Sequence, residues 1–379
     1  MNRRQFLIAL AALAVLAALG AAVVFSDRSA WTSADSRAGQ KAIPGLRLSE
    51  VAEIAIRDSS GELHLVRGGT GWSVPERAGF AAETDRIAAL LVKLAELKIV
   101  QSEPLHESQR ARLELVEPKD KAAGAGTVIE LKDAKGGSLG RLLLGKKIVK
   151  SSPVASSLSR GETEATGRYL TGGDAGTMLA VGEPLTEVES RSDQWLVKDL
   201  LRVDEAKSIS SSKDGKARWS VTRETESADW KFAGSKEKPD LQKATDLASS
   251  LGWVNLVDIV TDPKADTGLD HAIVIKADTF DGLSYMLRIG KRAGDNYYVQ
   301  VTAAGEPRKT RTPAKGEKAE DKAKNDKGFD ERRKKLLEQL EREKKLERWV
   351  YLVAKNGLEP LLRDRPGLMP EKKKAAKKA

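Results

Sequence analysis

The body of this chain is written twice, and a fold that must satisfy one pattern in two places has few options. Leu46-Arg47-Leu48-Ser49-Glu50 returns as Leu201-Arg202-Val203-Asp204-Glu205 at an offset of 155, and Ile54 and Ile209 keep the same spacing. Arg67-x4-Trp72 matches Arg223-x6-Trp230, and the helical run behind each Trp ends in parallel, Ile99 against Val257. Leu142-Leu143-Leu144-Gly145-Lys146 then pairs with Leu287-Arg288-Ile289-Gly290-Lys291. Self-similarity sets the structural unit before any element is assigned, and two long copies imply sister domains, not a solenoid.

The order of elements within each copy gives the fold class. In copy one, Glu53–Arg57 and Glu62–Arg67 alternate apolar and polar around Ser59-Ser60-Gly61, a hairpin signature. Gly71-Trp72-Ser73-Val74 reads as a strand. Glu83 to Leu97 carries Ile87, Leu90, Leu91, Leu94 and Leu97 at helical spacing. Thr127–Leu131, Arg141–Leu144 and a short Arg168-Tyr169-Leu170 complete the copy.

Copy two repeats this with strands at Arg218–Thr222 and Trp230–Phe232, and a helix from Asp240 to Leu251 whose apolar face is Leu241, Ala244, Leu247, Ala248 and Leu251. A hairpin follows, Ala272–Ala277 and Ser284–Ile289 around Asp281-Gly282, and then Asn296–Val301 and Trp349–Val353. Strands, one helix, then antiparallel hairpins make an α+β fold: two tandem repeats of a mainly antiparallel sheet, each with one packed helix.

The excess of positive charge is confined to appendages. The formal net charge is +10, but 306–348 holds 16 Lys+Arg against 11 Asp+Glu, and 363–379 holds 7 against 2. The remainder balances, so the folded face lacks the basic stripe that a nucleic-acid-binding protein carries. No nucleic-acid partner is expected.

The interval from Gly145 to Tyr169 is 24 residues, whereas Gly290 to Tyr351 is 61. Copy two therefore contains an insertion, and 306–348 is its body. Its first half is rich in Lys, Glu, Pro and Ala and is expected to be disordered. Its second half offers strong helix formers but only Leu336, Leu337, Leu340 and Leu346 as apolar positions. A solvated arm protruding from the sheet, able to dock a partner, is the expectation.

The amino terminus points to the envelope. Arg3 and Arg4 lead into an uncharged apolar run from Phe6 to Phe25. Twenty residues at 1.5 Å each span about 30 Å, the thickness of a bilayer's hydrocarbon core. The positive-inside bias leaves the first residues in the cytoplasm and sends the body across the inner membrane to the periplasm. A cleaved signal peptide is the competing reading, and Arg3-Arg4-Gln5-Phe6-Leu7 is similar to a twin-arginine export motif. The domain plan is an anchor over 1–25, a polar linker over 26–45, repeats over 46–185 and 186–362, and a basic tail over 363–379. Cys is absent, which excludes disulfides, thiolate metal sites and a Cys nucleophile.

Catalytic signals are weak. His64, His106 and His271 lie in separate segments without the spacing that puts two ligands on one helix face. No Gly-x-Ser-x-Gly elbow is present. Gly68-Gly69-Thr70-Gly71 and Gly172-Gly173-Asp174-Ala175-Gly176 lack the Lys-Ser/Thr of a phosphate loop and read as turns. Trp72 and Trp230 suit either an aromatic ligand shelf or, more simply, packing of helix on sheet. No catalytic, cofactor-binding or metal-binding residue is assigned, no cofactor is expected, and no small-molecule ligand is identifiable.

The pattern resembles a bacterial family, domain of unknown function 4340. The features that carry the resemblance are Trp72 with its helix, Leu115-Val116-Glu117-Pro118, Leu144-Gly145-Lys146 and Tyr169-Leu170. In copy two they are Trp230 with its helix, Gly268-Leu269-Asp270, Ile289-Gly290-Lys291, and Tyr351-Leu352 followed by Leu358-Glu359-Pro360-Leu361-Leu362. Copy one departs from the Gly-Leu-x-x-Pro turn with Glu114, and copy two with Ala272. The resemblance implies a membrane-anchored periplasmic protein, auxiliary to an ABC-type export or gliding-related system, with no defined functional residues. The resulting expectation is a non-catalytic accessory or scaffold protein with an envelope protein partner. The alternative is an envelope module binding a glycan, lipid or peptide between the repeats.

Overall fold

The computed structural model describes residues 37–119, 122–149, 164–252, 254–313 and 317–371. The expected anchor, Phe6–Phe25, lies outside the described residues. No helix among the described residues is long and apolar enough to cross a membrane. The chain is α+β and divides into two compact units. One runs to Pro75 and resumes over Thr84–Arg191; the other takes Glu76–Glu83 and the described residues from Ser192 onward.

The first unit is built from β1 (Glu53–Asp58), β2 (Gly61–Gly68), β3 (Gly71–Val74), β5 (Ile99–Pro104), β6 (Thr127–Lys132), β7 (Ser138–Val149), β8 (Ala165–Thr171) and β9 (Thr177–Val181), with β4 (Phe80–Ala81) falling in the segment grouped with the other unit. Its sheet runs β3-β2-β1-β6-β7-β8-β9-β5, antiparallel at every pairing that joins these strands. Helix α1 (Thr84–Glu96) buries Ile87, Leu90, Leu91, Leu94 and Ala95, the stripe that a 3.6-residue period puts on one side. Ile54, Ile56, Leu63 and Leu65 supply the sheet's buried face. Each such side chain contributes about 1.5–3 kcal/mol by leaving water.

The second unit comprises β10 (Asp199–Leu201), β11 (Ala206–Lys213), β12 (Lys216–Thr222), β13 (Lys231–Phe232), β14 (Val254–Ile259), β15 (Ile273–Thr279), β16 (Leu283–Ala293), β17 (Asn296–Gly305) and β18 (Tyr351–Ala354). Its strands run β10-β14-β18-β17-β16-β15-β11-β12-β13, again antiparallel. Helix α2 (Leu241–Gly252) buries Ala244, Leu247 and Leu251, while Leu241, expected on that face, is left exposed.

The second unit packs more than the one helix expected of each repeat. Besides α3 (Ala319–Lys344), α4 (Lys355–Leu362) buries Leu358 and Leu361 and packs on α2. The segment that follows is no free basic tail as far as residue 371. Leu368 is fully buried, the Asp240 amide donates to its carbonyl, and the Trp219 indole N–H donates to the Arg363 carbonyl at 2.8 Å. The charge of 363–371 concealed a segment whose backbone carbonyls and one leucine are docking groups.

Segment Glu76–Glu83 completes the second unit. Arg77 donates to both carboxylate oxygens of Asp258, from Nε at 2.6 Å and from Nη2 at 2.9 Å. The Phe80 ring meets Trp349 and Tyr351 edge-on, at centroid distances of 5.6 and 6.1 Å.

The turn before the central hairpin explains a sequence anomaly. Gly268 has φ +63°, and Glu114 has φ +56°, left-handed without being glycine. The Leu113 carbonyl accepts from the Lys146 amide, and the Thr267 carbonyl from the Lys291 amide, each at 2.8 Å. Left-handed backbone costs an L-residue roughly 1 kcal/mol or more. Glu114→Gly is therefore expected to raise stability by about 0.5–1 kcal/mol, part of the strain relief being offset by the entropy glycine adds to the unfolded chain. Urea denaturation measures it, and a loss of stability would mean that the Glu114 side chain makes a compensating interaction.

Candidate functional site

The segment between β17 and β18 supplies one wall of a cleft in the second unit. Strands β17 and β18 are hydrogen-bonded neighbours with Val299 opposite Tyr351, so the chain leaves at Gly305, six residues along β17 from the point where it returns. Loop closure grows only logarithmically with length, which lets the sheet carry this excursion at low cost. Most of the excursion is α3, which lies against β17.

The arm is not solvated on all sides, contrary to the sequence expectation. Phe329, Arg333, Leu336, Leu340 and Glu343 fall at successive spacings of four, three, four and three, a single helical stripe. Phe329, Arg333 and Leu336 are half-buried, Leu340 is 3% exposed and Glu343 8%. Two of the five positions are charged, which hid the stripe from a search for apolar periodicity.

Between α3 and the β15–β16 hairpin is a cleft of about 460 Å³, lined in part by Arg202, Asp204, Glu205, Asp281, Tyr285 and Arg332. Arg332 Nη2 donates to Glu205 Oε2 at 2.5 Å and to Asp281 Oδ2 at 2.8 Å. Donating to these carboxylates, Glu205 first, holds the Arg332 guanidinium even further above neutrality than usual. Arg202 Nε donates to Asp204 at 3.2 Å. Burial pushes the Tyr285 hydroxyl up, and the neighbouring Glu343 adds to the rise. These shifts move the tyrosine and the arginine away from proton transfer near neutral pH and favour recognition by charge and shape.

A smaller cleft of about 280 Å³ in the first unit is lined by residues that include Asp58, Lys147, Arg168 and Glu189. Its charged groups hold the fold together. Burial alone would raise the Asp58 carboxyl, but bonds from the Ser190 hydroxyl, the Ser190 amide and the Ser60 amide outweigh it and hold the carboxyl below its ordinary 3.8. Arg168 donates from Nε to the Gly145 carbonyl and from Nη1 to the Leu185 carbonyl.

The residues weighed from sequence fall apart in space or serve packing. His64 is on β2, His106 precedes a single helical turn over Glu107–Arg110, and His271 lies in an exposed turn with its Nδ1 3.1 Å from Asp214 Oδ1. Among the described residues no group of three or more His, Asp or Glu is arranged to hold a metal. Trp72 and Trp230 are buried, the latter beneath the Arg223 guanidinium at 4.8 Å, so neither forms an open shelf. The two glycine-rich stretches are the β2–β3 and β8–β9 turns, the second tied by Asp174 to the Gly176 amide and the Thr177 hydroxyl. None of the cleft residues was singled out as functional in the sequence. Arg332 is 127 positions from Glu205 and 51 from Asp281, so no local motif announces the site.

A family model described as a domain of unknown function (DUF4340) matches residues 72–272, more than half of the chain. The match begins at Trp72 and ends at Ala272, so a single match crosses the division between the units. Neither a curated protein nor a solved structure matches.

Proposed function

The chain belongs to this family of unknown function, and on that premise we propose that it is a non-catalytic accessory or scaffold subunit whose working surface is the inserted arm. In this reading residues 1–25 anchor it in the inner membrane and the body works in the periplasm, auxiliary to an ABC-type export or gliding-related complex. The observation that carries the reading is α3 itself: a 26-residue, highly charged helix spliced between two paired strands, which the sheet does not need for its own pairing. Such an excursion adds a surface and leaves the core's strand order intact. A small-molecule or peptide binding module is the second reading, favoured by the cleft beneath the same helix.

We also infer that the two units are one fold written twice. The strand orders support this, because β3-β2-β1-β6-β7-β8-β9-β5 maps position by position onto β13-β12-β11-β15-β16-β17-β18-β14. Further support comes from the left-handed Glu114 and Gly268, and from the Gly145-Lys146 and Gly290-Lys291 corners they pack against. On this mapping Tyr169 of β8 does not correspond to Tyr351 of β18, as the sequence comparison had it. The strand matching β18 is β9, which sequence reading missed.

The test is capture from carbonate-washed, detergent-solubilised membranes, with the full chain against a variant lacking 306–348 joined by a short Gly/Ser turn. The full chain is expected to stay with the membranes and retain a specific protein partner that the variant loses. The variant should still fold, with a loss of about 1–3 kcal/mol for removing Leu340 and the Tyr351 hydroxyl bond to the Leu346 carbonyl. Release of the full chain by carbonate would reject the anchor. Equal partner recovery with both chains would reject the arm.

A further inference from the structure

We propose that α3 is a releasable strap, docked on the second unit when Glu343 is protonated and let go as Glu343 ionises. This rests on the reading of the arm as a working surface only for its purpose, since docking and release are properties of the isolated chain.

The argument starts from how the helix is held. A docked helix normally presents an apolar stripe, whereas this one puts a carboxylate and a guanidinium into its stripe at Glu343 and Arg333. Glu343 Oε1 accepts from the Gln339 amide at 2.9 Å, but its other oxygen has no hydrogen-bond partner among the described residues, and neither has Arg333 Nε. Gln339 is in turn stretched towards the Tyr285 hydroxyl at 3.5 Å and the Arg202 carbonyl at 3.4 Å. A buried carboxylate oxygen without a donor is costly, and protonation relieves it by removing the charge.

The surroundings set the sign. Around Glu343 stand Tyr285 on β16, Asp204 in the turn before β11, and Arg342 on α3, while β17 contributes no charged side chain and the turn after α3 carries Lys345, Glu347 and Arg348. Burial pushes the Glu343 carboxyl above its ordinary 4.5; bonds from Gln339 and Tyr285 and the Arg342 charge pull it back, and Asp204 pushes it up again. The docked state therefore binds the proton more tightly than the released state. Docking gains from protonation fully below 4.5, and the gain is lost as pH rises through the raised value.

Release is possible because of where the strap is attached. Its two ends leave and re-enter on paired strands, so undocking breaks the Arg332 bridge to Glu205 and Asp281 and exposes Leu340 without unpairing β17 from β18. It would also open the cleft over Tyr285 and Leu283.

Hydrogen–deuterium exchange of the full-length chain in detergent tests this, comparing wild type with Glu343→Gln at each pH so that the intrinsic exchange rate cancels. The glutamine is neutral at every pH and can keep the Gln339 bond. At the alkaline end of the folded range, amides of 329–343 are expected to exchange about three- to tenfold faster in wild type than in Glu343→Gln. The ratio should fall to one as pH approaches 4.5, and amides of β15 should not differ. Arg333→Met serves as the second variant. It should slow arm exchange at all pH values and leave the wild-type pH dependence in place. Equal exchange in wild type and Glu343→Gln across the range would overturn the proposal, as would faster exchange in the glutamine variant. Equal partner recovery in the capture experiment leaves the strap standing, and a flat exchange ratio leaves the accessory reading standing.

Discussion

Gly145→Ala and Gly290→Ala should each destabilise the chain by about 2–4 kcal/mol, lowering the melting temperature by roughly 5–15 °C. A Cβ at Gly145 would fall on the Leu113 carbonyl oxygen and lie 2.7 Å from Leu115 Cδ2. One at Gly290 would fall on the Thr267 carbonyl oxygen and lie 3.3 Å from Leu269 Cδ2. In both corners the obstructing carbonyl also accepts from the following lysine amide, so making room for a methyl pulls that bond apart as well. The obstruction is backbone, which cannot swing aside as the end of a side chain could. Gly252→Ala is the control, because its added Cβ meets nothing within 4 Å. If Gly145→Ala and Gly290→Ala melt within a degree or two of that control, the close approach is not what these glycines are for.

The second large effect is expected at Arg77. Its guanidinium makes two parallel bonds to Asp258, and both side chains are less than a quarter exposed. Arg77→Ala leaves a half-buried carboxylate with the Ile259 amide, at 2.8 Å, as its remaining hydrogen-bond donor among the described residues. Stranding a partly buried charge costs about 2–4 kcal/mol, more than the pair itself contributes. Arg77→Lys keeps the charge but cannot span both oxygens, so it should fall between wild type and alanine. The double variant Arg77→Met with Asp258→Asn should recover a good part of the loss, because no charge is then stranded. Denaturant titration of the double variant beside wild type and the single variants Arg77→Met and Asp258→Asn reads the coupling. Additive losses would mean that the two residues do not work as a pair.

How much of this was readable in the residues depends on whether the pattern was local. The β1–β2 hairpin, the helix α1 and the β15–β16 hairpin follow from alternation, a 3.6-residue stripe and turn glycines, all visible within a dozen positions. Strands β5, β9, β10, β11 and β14 escaped. Ile99–Pro104 follows α1 directly and keeps only Ile99 fully buried, so its pattern looks like a fraying helix end. Thr177–Val181 buries four consecutive residues on an interior strand and offers no alternation to detect. The Gly-Lys corners were legible as a repeated word, but their meaning needs the carbonyl on the other side of each turn. The stripe on α3 was illegible for a different reason: its most buried charged member, Glu343, belongs to the residue class that a sequence reader assigns to solvent.

Segment Glu76–Glu83 has a consequence for dissection of the protein. It lies between two stretches of the first unit in the chain and yet supplies the second with Arg77, Phe80 and the buried Ala82, which bridges to Leu196. A fragment cut at Ser192 would carry Asp258 without its guanidinium and would present Trp349 and Tyr351 without the ring that meets them. The carboxy-terminal half is thus not an autonomous piece. Made on the ribosome, it inherits eight residues already waiting upstream; made alone, it has to fold around their absence.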